Sequence, residues 1–68
     1  MDAAEKGARY AKIFRKAGAL LTKGRIARAL VAFEEGRAFA QQQGDRAMER
    51  RFAAEIQRVN TIPPISED

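Results

Sequence analysis

The sequence predicts an all-α fold, an antiparallel αα-hairpin followed by a third, capping helix, which together form a three-helix bundle. Apolar residues recur at intervals of three and four over three segments, which is the spacing of one helix face. Gly24 and Gly44 separate the segments and leave room only for short connections, so consecutive helices must lie antiparallel. We expect a single domain over residues 1–60 and an extended or disordered tail over 61–68, where Pro63-Pro64 exclude further helix.

The first helix is expected from about Ala3 to Thr22. Gly24 can take the left-handed conformation that closes a helix. The apolar stripe of this helix consists of Tyr10, Ile13, Phe14, Ala17, Leu20 and Leu21. These side chains share one face and should meet the second helix.

A second face of the first helix carries a strip of small residues, Ala4, Gly7, Ala11 and Gly18. Each of its two glycines costs roughly 1 kcal/mol relative to alanine inside a helix. Close approach of another helix would offset that cost. We expect the strip either to seat the third helix or to be a self-association strip at which two copies meet.

The second helix is expected from about Arg25 to Gln42. Its broad stripe consists of Ile26, Ala29, Leu30, Phe33, Gly36 and Ala40, widened by Ala32 and Phe39. We expect the stripe to pack on the first helix and the widened flank on the third, with Phe33 at the centre. A smaller apolar strip on the opposite side consists of Ala27, Val31 and Ala38. Apolar residues on several sides are typical of a helix within a stacked assembly.

The third helix is expected to follow Asp45, a good N-cap residue, and to end near Asn60. Its single narrow stripe consists of Met48, Phe52, Ile56 and Val59. The rest of its surface is charged, and Arg51 and Glu55 are spaced for an i, i+4 ion pair. One buried stripe with a solvent-exposed outer side is typical of a capping helix at the end of a helical stack.

The central part of the chain resembles a tetratricopeptide repeat, from about Tyr10 to Asp45. The residues that carry the resemblance are Ala17, Leu20, Leu21, Gly24, Ala29, Phe33, Gly36 and Gly44-Asp45. Lys16 departs from the leucine that the family prefers, and no proline follows the second helix. The run Ala29-Leu30-x-x-Phe33-x-x-Gly36 is also similar to the three-helix microtubule-interacting-and-trafficking domain. Both resemblances imply recognition of other proteins by helix packing.

The small size of the chain favours self-association. A chain of 68 residues buries only about 60% of the surface that its unfolded form exposes. It contains neither Cys nor His, so neither a disulfide nor a soft-metal site can stabilise the fold. We therefore expect a homodimer or higher oligomer. The apolar runs are too short to span a bilayer or to form a signal-peptide core, so we expect a cytoplasmic protein without a membrane span.

The charge is unevenly distributed, although the net value is only +4. Between Lys6 and Phe33 there are eight basic residues and no acid. The residues predicted to form a partner-binding basic face are Arg9, Lys12, Lys16, Arg25 and Arg28. Such a face suits an acidic protein partner, the phosphates of a nucleic acid, or an anionic membrane surface. No aromatic residue interleaves these cations as a stacking platform for bases.

The sequence offers no set of residues suited to catalysis. The only serine is Ser66, in the predicted tail, and Thr22 and Thr61 have no base nearby in sequence. Glu34 and Glu35 are neighbours on a helix and point about 100° apart, which defeats chelation. We therefore expect no enzyme activity, no cofactor and no metal. The sequence favours a non-catalytic protein–protein interaction module, a small adaptor, chaperone or inhibitor; the alternative is a small basic helical protein that binds nucleic acid.

Overall fold

The computed structural model describes residues 1–61 as three helices: α1 (Ala3–Thr22), α2 (Ile26–Gln42) and α3 (Arg46–Asn60). The predicted all-α, three-helix arrangement is confirmed, and α1 ends where the periodicity ends. Helix α2 packs on both other helices, whereas α1 and α3 meet through long side chains. Apart from Thr61, the predicted tail lies outside the described residues.

Both connections between helices use a left-handed glycine. Gly24 has a φ of 76° and Gly44 a φ of 70°. At the first turn the Arg25 amide donates to the Leu20 carbonyl at 2.8 Å, a bond from beyond the helix end back to its last turn. The second turn has the same arrangement. This motif satisfies carbonyls that the helix leaves unpaired and reverses the chain in very few residues, which fixes the antiparallel order.

The ring of Phe52 occupies the centre of the core and is fully buried. It stacks on Phe14 of α1 at 4.8 Å and lies 5.8 Å from Tyr10 and 6.4 Å from Phe33, measured between ring centroids. Gly36 of α2 leaves the space that the ring fills, since a Cβ at that position would overlap it. Phe33 is buried, as expected, but the central position belongs to Phe52 on α3.

Two residues of α2 face the opposite helix from the one expected, although Phe33 of the stripe does contact Phe14 of α1 as expected. Gly36, which was assigned to the stripe facing α1, lies against Phe52 of α3. Phe39, which was assigned to α3, packs edge-on against Tyr10 of α1 with ring centroids 5.4 Å apart. The physical reason is size: the large ring of Phe52 requires a glycine opposite it, and periodicity alone does not show which flank provides one.

Arg51 also differs from the expectation that it pairs with Glu55. Its guanidinium lies over the Phe14 ring, 4.8 Å from the centroid. Glu55 instead accepts hydrogen bonds from Arg58, one turn later. The predicted ion pair is therefore wrong, and Arg51 helps to hold α3 on α1.

Asp45 connects all three helices. One of its carboxylate oxygens accepts from the Met48 amide at 3.2 Å and caps α3. The other accepts from the Tyr10 hydroxyl of α1 at 3.1 Å and lies 3.5 Å from the Lys6 ammonium. The Asp45 amide closes the end of α2 by donating to Ala40. Chiefly through the bond from Met48, the pKa of Asp45 is lowered.

We expect stability to fall in alkali because of Tyr10, the only tyrosine of the chain. Burial, reinforced by the hydrogen bond to Asp45 and its charge, raises the pKa of Tyr10 from 10.0 to about 12. Stabilisation by the neutral phenol is complete below pH 10 and is lost as the pH rises towards 12, because the unfolded chain loses this proton first. Tyrosinate absorbance should titrate near 12 in the native protein and near 10 in denaturant. A native midpoint near 10 would contradict the burial of the Tyr10 phenol and its contact with Asp45.

Candidate functional site

Helix α3 covers one side of the α1/α2 hairpin, and the other side carries an open groove, here called the α1/α2 furrow. None of its lining residues belongs to α3. From α1 it is lined by Ala8, Arg9, Lys12, Ile13, Lys16 and Leu20. From α2 it is lined by Arg28, Val31, Ala32, Glu35, Ala38, Phe39, Gln41 and Gln42. These positions follow helical spacing, so the furrow runs along both helices.

The floor of the furrow is apolar. Ile13 and Leu20 are half-buried, and Phe39 lies among them with a small part of its surface exposed. Val31 is 59% exposed, and among the described residues only it and Met1 are large apolar side chains that stand open to solvent. The largest section, between Arg9 and Glu35, has a volume of about 710 Å³. This is within the size range of protein binding pockets, although the furrow is open to solvent.

The rim of the furrow is basic. Its cations are Arg9, Lys12, Lys16 and Arg28, and its one lining acid is Glu35. The Lys16 ammonium lies 3.9 Å from the Glu35 carboxylate across the furrow, and both side chains are about 60% exposed. An exposed pair of this kind contributes about 0–1 kcal/mol, so an incoming carboxylate can exchange for Glu35 at little cost.

Arg9 is held at one end of the furrow. Its guanidinium lies over the face of Phe39, 4.5 Å from the ring centroid. A cation over an aromatic face contributes about 0.5–1 kcal/mol at an exposed site. This contact gives the charge of Arg9 a preferred position beside the apolar floor.

Four of the five residues predicted to form a basic face lie together in the furrow: Arg9, Lys12, Lys16 and Arg28. Arg25 does not. It is the N-cap residue of α2 and is exposed at the turn. The floor residues Val31 and Phe39 were not recognised as part of a site from the sequence. The sequence does show Val31 and Ala38 in the smaller apolar strip of the second helix, and this strip was the one signal that could have indicated the floor.

The strip Ala4, Gly7, Ala11 and Gly18 is exposed along its whole length. A Cβ added at Gly7 or Gly18 would find no atom within 4 Å. The interpretation that this strip seats the third helix is therefore wrong, because α3 approaches α1 at Tyr10 and Phe14. The strip is turned away from the furrow.

The described residues offer few other kinds of site. Within residues 1–61 no group of three or more acidic, His or Cys side chains is placed to hold a metal ion. No helix in the same range is long and apolar enough to cross a membrane. The furrow is therefore the surface on which we base a functional proposal.

The chain was compared with protein-family models, with curated proteins and with solved structures. The tetratricopeptide-like interpretation stays a prediction, because these comparisons give no match of any of the three kinds.

Proposed function

We propose that the chain is a non-catalytic protein-binding module, a small adaptor, chaperone or inhibitor that works in the cytoplasm and binds its partner in the α1/α2 furrow. One observation supports the proposal most strongly. The furrow combines an uncovered apolar floor, including Val31, with a rim of four cations. Apolar contact supplies affinity, and the rim charges guide encounter and orientation.

The alternative, binding to nucleic acid, fits the furrow less well. Phosphate recognition requires cations but has no use for an apolar floor. The aromatic rings are packed in the core, and Phe39 is only 8% exposed and already covered by Arg9. No side chain of the furrow therefore offers the flat stacking surface typical of proteins that bind single strands.

We expect the double substitution Lys12→Glu with Lys16→Glu to weaken partner binding without unfolding the protein. Both side chains are exposed, so reversing them should leave the core intact. Association should slow and depend less on salt, while dissociation changes comparatively little, because rim charges act mainly during encounter. Binding kinetics at two salt concentrations, with the main protein captured from native lysate, test this.

The matched control reverses two cations outside the furrow, Arg46→Glu with Arg50→Glu on the exposed side of α3. It changes the net charge equally and should leave association almost unchanged. Equal slowing by both variants would show that total charge, rather than the furrow, guides the partner. Tight binding of the wild type to random-sequence duplex, weakening in log–log salt plots by about 0.9 per phosphate contacted, would favour the nucleic-acid alternative.

We also propose that two copies associate through the strip of Ala4, Gly7, Ala11 and Gly18. Its exposure in the single chain supports this, since two glycines in a helix are costly unless something packs on them. Light scattering should give a mass above 7.6 kDa at micromolar concentration. Gly18→Leu should return the mass to that of one chain and leave the chain folded. A wild-type monomer would contradict the proposal.

A further inference from the structure

We propose that the occupant of the α1/α2 furrow is an acidic amphipathic helix of another protein, about four turns long. The inference rests on the proposed function and names the kind of partner. Three features of the described residues support it: the shape of the furrow, the placement of its charges, and the pairing of most acidic side chains with residues of the same chain.

The shape of the furrow suits a helix. Two antiparallel helices packed side by side leave a groove on each face, and α3, with 15 residues, fills one of them. The other groove follows α2 from Arg28 to Gln42, a distance of about 21 Å at 1.5 Å per residue. That length matches a helix of about four turns. Anchors at i, i+3, i+4 and i+7 on such a helix would cover Ile13, Leu20 and Val31, as in other helix-in-groove complexes.

The charges of the furrow select an acidic occupant. Lys12 and Lys16 project from α1 one turn apart, and Arg28 lies across the furrow on α2. A helix lying between them would place its flanking side chains beside both rims. There the cations would attract carboxylates and repel ammonium groups. Its carboxylates would replace the weak pairing of Lys16 with Glu35.

A second copy of this chain is a poor occupant, because most acids of the described part are already engaged. Glu34 is paired with Arg37, and Glu55 with Arg58. Asp45 bridges Tyr10, Met48 and Lys6. The exposed surface of α1 is basic, and the net charge is +4. Two copies would therefore bring like charges together at the rim.

The experiment uses the full chain and synthetic helical peptides of four turns. The probe peptide has a leucine stripe at i, i+3, i+4 and i+7 with glutamates flanking it. The first control peptide has lysine in place of each glutamate, and the second has the same composition with the stripe scrambled. Binding is measured by calorimetry, and the site is located by amide chemical shifts of the isotope-labelled protein.

We expect the probe peptide to bind and both control peptides to bind at least tenfold more weakly. Shifts should map to the furrow and not to the exposed face of α3. Val31→Glu should weaken probe binding about tenfold, the equivalent of 1.4 kcal/mol, because it places a carboxylate on the apolar floor beneath the glutamate-flanked helix. Val31 is 59% exposed, so the variant should fold. Val31→Ile is the conservative variant and should bind normally.

The outcomes separate this inference from the proposed function. Equal binding of the scrambled peptide would show that the partner need not be an amphipathic helix, and equal binding of the lysine peptide would show that it need not be acidic. Either result overturns the inference while the Lys12 and Lys16 test of the furrow still stands. Shifts confined to α3 or to the glycine strip would overturn the furrow as the site as well.

Discussion

Phe52→Ala is expected to be the most destabilising single truncation in the chain, at about 3–5 kcal/mol. The ring is fully buried and contacts the rings of Tyr10, Phe14 and Phe33. Its loss would leave a cavity where side chains of all three helices meet. Because small domains have about 5–15 kcal/mol of total stability, the variant should be largely unfolded at moderate denaturant or temperature. Chemical denaturation followed by circular dichroism measures the effect.

Two further truncations place that result on a scale. Phe33→Ala should also be costly but less so, since Phe33 keeps about 3% of its surface exposed and contacts fewer of the aromatic rings. Val31→Ala should change stability little, because that side chain lies mostly in solvent. If Phe52→Ala melts within a few degrees of the wild type, α3 does not pack through this ring and the core is misassigned.

Gly36→Ala is expected to destabilise the protein, although alanine is the better helix former. A Cβ at this position would overlap the Phe52 ring, with the Cδ1 atom only 2.8 Å away. The ring is fully buried and lies against the rings of Tyr10, Phe14 and Phe33, so a shift would disturb those contacts. Overpacking of this kind costs about 1–3 kcal/mol, which exceeds the gain in helix propensity of at most about 1 kcal/mol.

Gly18→Ala is the matched control for this substitution. Like Gly36 it lies within a helix, but nothing lies within 4 Å of the added Cβ. At concentrations low enough for the chain to be monomeric, we expect it to stabilise the fold by roughly 0.5–1 kcal/mol from propensity alone. Thermal melts of the two variants should therefore move in opposite directions. Shifts of the same sign would mean that the packing of Phe52 on Gly36 is not as described.

The helices themselves were predictable because their signals are local. Apolar spacing gave the three segments, and Gly24, Gly44 and Asp45 marked the ends within one residue of their observed positions. The stripe of α3 was also correctly predicted, with Phe52 and Val59 fully buried. One local signal was missed: Asp2 and Glu5 form a capping box at the start of α1, a pattern that the sequence shows plainly.

The packing of the helices was less predictable because it depends on which side chains of different helices come into contact. Periodicity places Gly36 and Phe39 on the same broad face of α2 but does not say that Phe52 needs the glycine. Arg51 has a carboxylate at helical spacing and yet lies over Phe14, a contact that exists only once α3 has docked. The apolar floor of the furrow was missed for the same reason, since its residues come from two helices that meet only in the folded chain.

The most direct measurement of the central claim is site-specific cross-linking from the furrow. The chain has no cysteine, so Val31→Cys provides a single attachment point for a photo-cross-linker on the furrow floor. Arg50→Cys provides an equivalent point on the exposed side of α3. In native lysate we expect a discrete protein adduct from position 31, competed by the acidic helical peptide, and little or none from position 50. Equal adducts from both positions, or adducts that the peptide does not compete, would contradict the furrow as the binding surface.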